Sequence, residues 1–241
     1  MRGYAEACRY MAVNKEAEAL CYLGILDLHG RQIMYPETSS FPKGVKLPRI
    51  SPQRAMEALE LLKKEGVPYA EYVLQKPRSP GSPSDKEKSL QLLAERYPYS
   101  LGGALAAGEL AVILWQKGRY PEALRMAQPL VGIIPNAGGV VAWAEFTGQG
   151  ARQNRESACR KAQFWSVRFP VSPATYTLGL CYLEGVGGLP KDPLEAYALF
   201  WLANYLGCCH PGLEQALKGL ESSLTPAQAL EARRRAVRYL P

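Results

Sequence analysis

Apolar residues recur along this chain at helical rather than alternating spacing. Ala55-Met56-Glu57-Ala58-Leu59-Glu60-Leu61-Leu62 is a clear case, with one apolar face and one charged face. Alternating stretches that would signal strands are scarce. Helix starts are marked by a small polar residue followed by proline or by a capping partner. Ser84-Asp85-Lys86-Glu87 reads as a capping box, and Asp192-Pro193-Leu194-Glu195 places proline at the first helical position. Thr225-Pro226-Ala227-Gln228, Ser51-Pro52 and Ser172-Pro173 use the same device. The pattern predicts an all-α chain.

The helical pattern also repeats. Ala19-Leu20-Cys21-Tyr22-Leu23-Gly24 parallels Ala174-Thr175-Tyr176-Thr177-Leu178-Gly179, and a further glycine follows each at Gly30 and Gly185. A second helix comes next, running from Ala55 to Gly66 in one copy and from Ala196 to Gly207 in the other. Small residues at these points let two helices approach closely, while Leu, Tyr and Trp fill the seam. Recurrence of one helix–turn–helix unit is the mark of a repeat architecture.

The run Leu178-Gly179-Leu180-Cys181-Tyr182-Leu183-Glu184-Gly185-Val186-Gly187, followed by Asp192 and by Ala196 to Gly207, resembles the Sel-like repeat (SLR) family. The first copy departs from that pattern, with Asp27 where tyrosine is usual and a longer loop. A weaker copy starts at Ala70 and Leu74, with Gln75 in the glycine place. The centre is similar to the related tetratricopeptide repeats, on Gly118, Tyr120, Ala123, Ala127 and Pro135.

The resemblance implies a right-handed α-solenoid of stacked antiparallel helix pairs, an SLR/TPR-like superhelix in which each pair buries its apolar face against its neighbours. One helical-repeat domain over 1–241 is expected. Its pairs fall at roughly 16–66, 67–98, 102–135, 137–170 and 173–207, with closing helices at 210–240 and a partial helix at 3–13. The loops at 31–50 and 76–84 interrupt the stacking, and such insertions either carry contacts or are inert.

Composition narrows the chemistry. With 47% apolar and 21% charged residues over 241 positions, the chain has ample material for a core. The formal charge of +7 is densest at Arg233, Arg234, Arg235 and Arg238 in the last helix, where cations suit the dipole. No nucleic-acid reading motif accompanies it. The two histidines, His29 and His210, lie far apart in sequence, and no phosphate loop, HExxH pair or dinucleotide fingerprint is present. Cys208-Cys209-His210 lacks the second cysteine pair of a zinc site. Glu57, Glu60 and Glu65 read as surface carboxylates on a lysine-bearing helix. No cofactor, no metal and no catalytic residue are expected.

Two cysteine pairs lie symmetrically about expected turns: Cys8 and Cys21 about Asn14-Lys15, and Cys159 and Cys181 about Pro170. Residues equidistant from a turn in neighbouring antiparallel helices sit at one height, within disulfide reach. The alternative is that each is a free cysteine serving as a small core residue. Bridges would favour an oxidising compartment, the periplasm. The opening Met1-Arg2-Gly3-Tyr4-Ala5-Glu6 has no apolar signal core. A periplasmic protein whose signal has been removed is the reading taken, with the cytoplasm as alternative.

In tetratricopeptide-like stacks the first helix of each pair lines the concave face. That alignment puts Cys21, Ile25, Leu28, His29, Tyr69, Tyr72, Val112, Trp115, Gln116, Tyr176, Leu180, Leu183 and Glu184 in a partner-binding groove. A register slip would instead send these side chains into the core. By resemblance, the expected function is a non-catalytic protein-binding scaffold in bacterial envelope, secretion or signalling processes. The subclass expected is an immunity protein that neutralises a type VI secreted phospholipase toxin. The alternatives are an adaptor in an envelope or signalling complex, or a cysteine-rich Sel-like hydrolase with β-lactam affinity; the missing SxxK serine motif counts against the hydrolase.

Overall fold

The computed structural model describes residues 13–15, 17–19, 21–23, 51–75 and 83–240. Every regular element among them is helical. The helices are α1 (Pro52–Lys64), α2 (Pro68–Gln75), α3 (Pro83–Arg96), α4 (Leu101–Gln116), α5 (Tyr120–Ala127), α6 (Pro135–Thr147), α7 (Arg155–Arg168), α8 (Ser172–Glu184), α9 (Pro193–Tyr205), α10 (Pro211–Glu221) and α11 (Pro226–Val237). The chain divides into two compact units, residues 1–106 and 107–241, with the boundary inside α4.

Caps set most of these boundaries. Ser51 accepts from the Arg54 amide, and Asp192 accepts from the amides of Leu194 and Glu195. Thr225 and Gln228 form a reciprocal capping box. Two expected caps shift. α3 begins at Pro83, ahead of Ser84, and α8 is capped by the extended backbone of Val171, so that Ser172 and Pro173 already lie inside the helix. Pro173 needs no hydrogen-bonded amide there, which is why the helix extends past it.

In the first unit, α1 packs on α2 and α2 on α3 around Leu59, Leu62, Val67, Ala70, Val73, Leu90 and Leu93. A Cβ on Gly102 would lie 2.4 Å from the Pro68 carbonyl carbon, so glycine is what admits this close approach. In the second unit, consecutive helices pair from α5 to α10, and α6 also meets α8 while α9 meets α11. Such neighbour-and-next-neighbour packing is how stacked helix hairpins build a continuous core. Arg235 joins α11 to the start of α9 through Asp192 (3.2 Å) and Glu195 (3.3 Å), and Tyr239 donates to Glu195 at 2.7 Å. Of the arginines clustered in the last helix, Arg235 is thus drawn into an ion-pair network with the start of α9.

The repeat glycines do different work from one another. A Cβ on Gly179 would lie 2.5 Å from Phe200, and Leu178 and Ala196 are buried beside that contact. Gly207 has open space around it and a φ of +79°, so it serves as the left-handed stop of α9 rather than as a close helix contact. Leu23 is half-buried, and Gly24 lies outside the described residues. We expect Gly179→Val to destabilise the fold by about 1–3 kcal/mol, because Phe200 is walled in and cannot retreat. Chemical denaturation would measure it, and an unchanged midpoint would contradict the packing.

Candidate functional site

The densest grouping of functional side chains in the second unit surrounds His210. The short link from α9 to α10 carries His210 onto the Trp115 ring, stacked at a centroid distance of 4.6 Å. Trp143 of α6 and Tyr176 of α8 lie at 5.1 Å each, and Tyr120, at the start of α5, lies at 6.2 Å. The imidazole is held at both nitrogens. Nδ1 accepts from the Gly212 amide at 3.2 Å and so caps α10. With Nδ1 an acceptor, the neutral ring carries its proton on Nε2, which faces the Tyr120 hydroxyl at 3.3 Å.

Burial dominates the electrostatics here. It pushes the His210 imidazole down to about 4, the Cys208 thiol up to about 11 and the Tyr176 phenol up to about 12. These groups are neutral near pH 7. His210 is thus a structural cap in an aromatic box rather than a base near neutrality. Neutral His210 is favoured by the folded state, so its contribution is complete above about pH 6.5 and is lost as pH falls through about 4. We expect unfolding free energy to drop by about 2 kcal/mol over that window, after discounting for solvent screening. His210→Asn keeps a cap acceptor and should abolish this component of the pH dependence; an unchanged profile would contradict the assignment.

A cleft of about 530 Å³ opens beside this box. Tyr197, Trp201, Cys208, Cys209, Leu217 and Arg233 are among its walls. Tyr197 donates to Glu221 at 2.7 Å, and Trp201 stacks on the exposed Tyr205 at 5.9 Å. Among the described residues no group of three or more His, Cys, Asp or Glu side chains could hold a metal ion.

The residues expected to line a groove divide sharply. Tyr69 and Tyr72 are buried in the first unit, while Trp115 (0% exposed) and Tyr176 are buried in the second. These four are core side chains, the outcome a register slip would give. Gln116 and Val112 are half-buried, and Gln116 donates to the Gly207 carbonyl at 3.1 Å. Leu180 and Leu183 are half-buried, Leu180 packing on the cluster of Phe146, Ala158, Cys159 and Cys181. Glu184 is exposed and pairs with Arg155 at 2.5 Å. Cys21 is buried and disulfide-bonded. Cys8, Ile25, Leu28 and His29 lie outside the described residues, as do the loop 31–50 and residues 76–82.

Cys159 and Cys181 are joined by a disulfide with a Cα separation of 5.9 Å, which ties α7 to α8. Sequence reasoning missed an exposed apolar patch at the end of α7. Phe164 (45% exposed), Val167 (62%) and Phe169 (55%) present themselves to solvent, with the Arg168 guanidinium 4.0 Å from the Phe164 ring centroid. The signal was present in part: Phe164 adjoins the buried Trp165 and so points about 100° away from it around the helix, and Phe169 follows the last helical residue.

No family model matches the chain, and no curated protein matches it. Among solved structures, it is similar to a protective antigen of uropathogenic Escherichia coli strains that displays an SLR fold, with 16% sequence identity and a TM-score of 0.48. That match covers 96% of this chain, which spans about half (46%) of the antigen's length. The fold and the site together define an all-α protein of stacked helix hairpins. No described helix is long and apolar enough to cross a membrane.

Proposed function

We propose that this chain is a non-catalytic protein-binding scaffold, and specifically an immunity protein that binds and neutralises a phospholipase-type toxin secreted by a type VI system. The observation that carries the binding reading is the exposed Phe164–Val167–Phe169 patch with Arg168 beside it. Large apolar side chains grouped on a surface mark places where another protein sits, and an aromatic–arginine grouping is typical of interface anchors. The role of His210 as a helix cap removes the one described histidine from service as a base near neutral pH. The immunity role rests on the Sel-like pattern at residues 178–207, carried over by analogy.

Binding is tested by calorimetric titration of the chain into any type VI phospholipase found encoded beside its gene. A one-to-one complex is expected. Phe164→Ala with Phe169→Ala should weaken it by about 2 kcal/mol or more while leaving the unfolding midpoint near that of the parent. A complex insensitive to both substitutions would move the interface elsewhere, and the absence of any complex would reject the immunity role.

A further inference from the structure

We propose that Cys208 and Cys209 are a redox modification site, closing to a disulfide between adjacent residues when the chain meets a small-molecule disulfide oxidant. The same chain carries the Cys159–Cys181 disulfide and a disulfide-bonded Cys21, so its cysteines are oxidised elsewhere. Against that background Cys208 and Cys209 are free thiols, one buried and one exposed. Both residues line the cleft beside α9 and α10.

The local backbone permits closure. The Cys208 amide is committed to the Ala203 carbonyl in the stop of α9, and the next ring downstream is the His210 cap. Between these two anchors, the amide of Cys209 and the carbonyl of Cys208 take part in no backbone hydrogen bond among the described residues. That peptide can therefore turn without breaking either helix end. The interactions given up are the hydrogen bond from the Cys209 thiol to the Gly207 carbonyl, a long sulfur contact of 3.6 Å, and the hydrogen bond that the Cys208 sulfur accepts from the His210 backbone.

The chemistry proceeds by two exchanges. The thiolate of the exposed Cys209 attacks one sulfur of the oxidant RSSR, forming Cys209–S–S–R and releasing RS⁻, which takes up the thiol proton. The Cys208 thiol then gives up its proton as its sulfur attacks the Cys209 sulfur and breaks the bond to SR, and the second RS⁻ released takes up that proton. Two thiols have become one disulfide, and two electrons have passed to RSSR, leaving two RSH. Adjacent Cα atoms are about 3.8 Å apart across a trans peptide, below the roughly 4.4–6.8 Å that disulfides ordinarily span. The closed form is therefore strained and more easily reduced than the Cys159–Cys181 bond, whose Cα separation is 5.9 Å. Its closure draws Cys209 off Gly207 and reshapes the cleft wall.

Equilibration of the whole chain in glutathione buffers of graded poise, followed by acid quenching, alkylation and tryptic mass spectrometry, tests this. Residues 192–218 contain no internal lysine or arginine and no cysteine besides these two, so they report the pair as one peptide. In oxidised glutathione that peptide should be lighter by two hydrogens and take up no alkylating agent. As the poise becomes more reducing, it should open before Cys159–Cys181 does. Cys208→Ser should instead trap a glutathione adduct on Cys209. Two alkylated thiols, a persistent glutathione adduct on the parent chain, or a dimer linked through Cys209, in buffers that keep Cys159–Cys181 oxidised, would each overturn the proposal.

Discussion

Trp115→Ala is expected to destabilise the protein by about 4 kcal/mol, with loss of the cooperative unfolding transition at physiological temperature as its visible sign. The indole is fully buried and packs against Trp143 at 5.9 Å, Tyr176 at 6.1 Å and His210 at 4.6 Å. Truncation leaves a void among rings from α6, α8 and the α10 cap, which meet there from distant parts of the sequence. Those rings are fixed by their own helices and can fill the void only partly, so the cavity cost adds to the lost transfer energy. Thermal denaturation followed by near-ultraviolet dichroism would report both the stability and the asymmetry of the ring cluster. A variant with the parent midpoint and a selective loss of partner binding would instead restore Trp115 to a groove.

Removal of the Cys159–Cys181 disulfide is the second large effect, expected to cost about 3 kcal/mol. The two cysteines are 22 residues apart, and a closed loop of that length loses roughly this much conformational freedom in the unfolded chain. The bond also supports its surroundings. A Cβ on Gly187 would lie 2.4 Å from the Cys159 Cβ, so the turn after α8 packs directly on the bridge. Leu180, Val186 and Leu189 rest against the cluster containing both cysteines. The double variant Cys159→Ala, Cys181→Ala, compared with the parent by denaturant titration, measures the difference. An equal midpoint in the presence and absence of reductant would show that the bridge does not constrain the unfolded chain.

Much of the fold was legible in the sequence because its signals are local. The caps at Ser51, Asp192 and Thr225 act within one helical turn, and each bonds as its sequence suggests. The Cys159–Cys181 bridge follows from chain geometry, since both residues are nearly equidistant from one turn. The facing of the aromatic residues was not legible, for a specific reason. Residues 172–179 of α8 are all buried, so that stretch has no polar side from which to read its register. Tyr176 therefore looked like a surface anchor, whereas the link carrying His210 and Gly212 covers it: a Cβ on Gly212 would lie 2.6 Å from the Tyr176 hydroxyl. The His210 box could not be assembled in advance, because its members come from five separate places in the chain. One local clue existed. His210-Pro211 has the polar-residue-then-proline form of the other helix starts, and it marks a cap rather than a ligand.

The most direct test of the scaffold reading is to titrate the whole chain into an assay of any type VI phospholipase found encoded beside its gene. Stoichiometric loss of phospholipase activity is expected, with relief of that inhibition by Phe164→Ala and Phe169→Ala together. Full phospholipase activity in the presence of excess folded chain, with no complex detectable by calorimetry, would contradict the account.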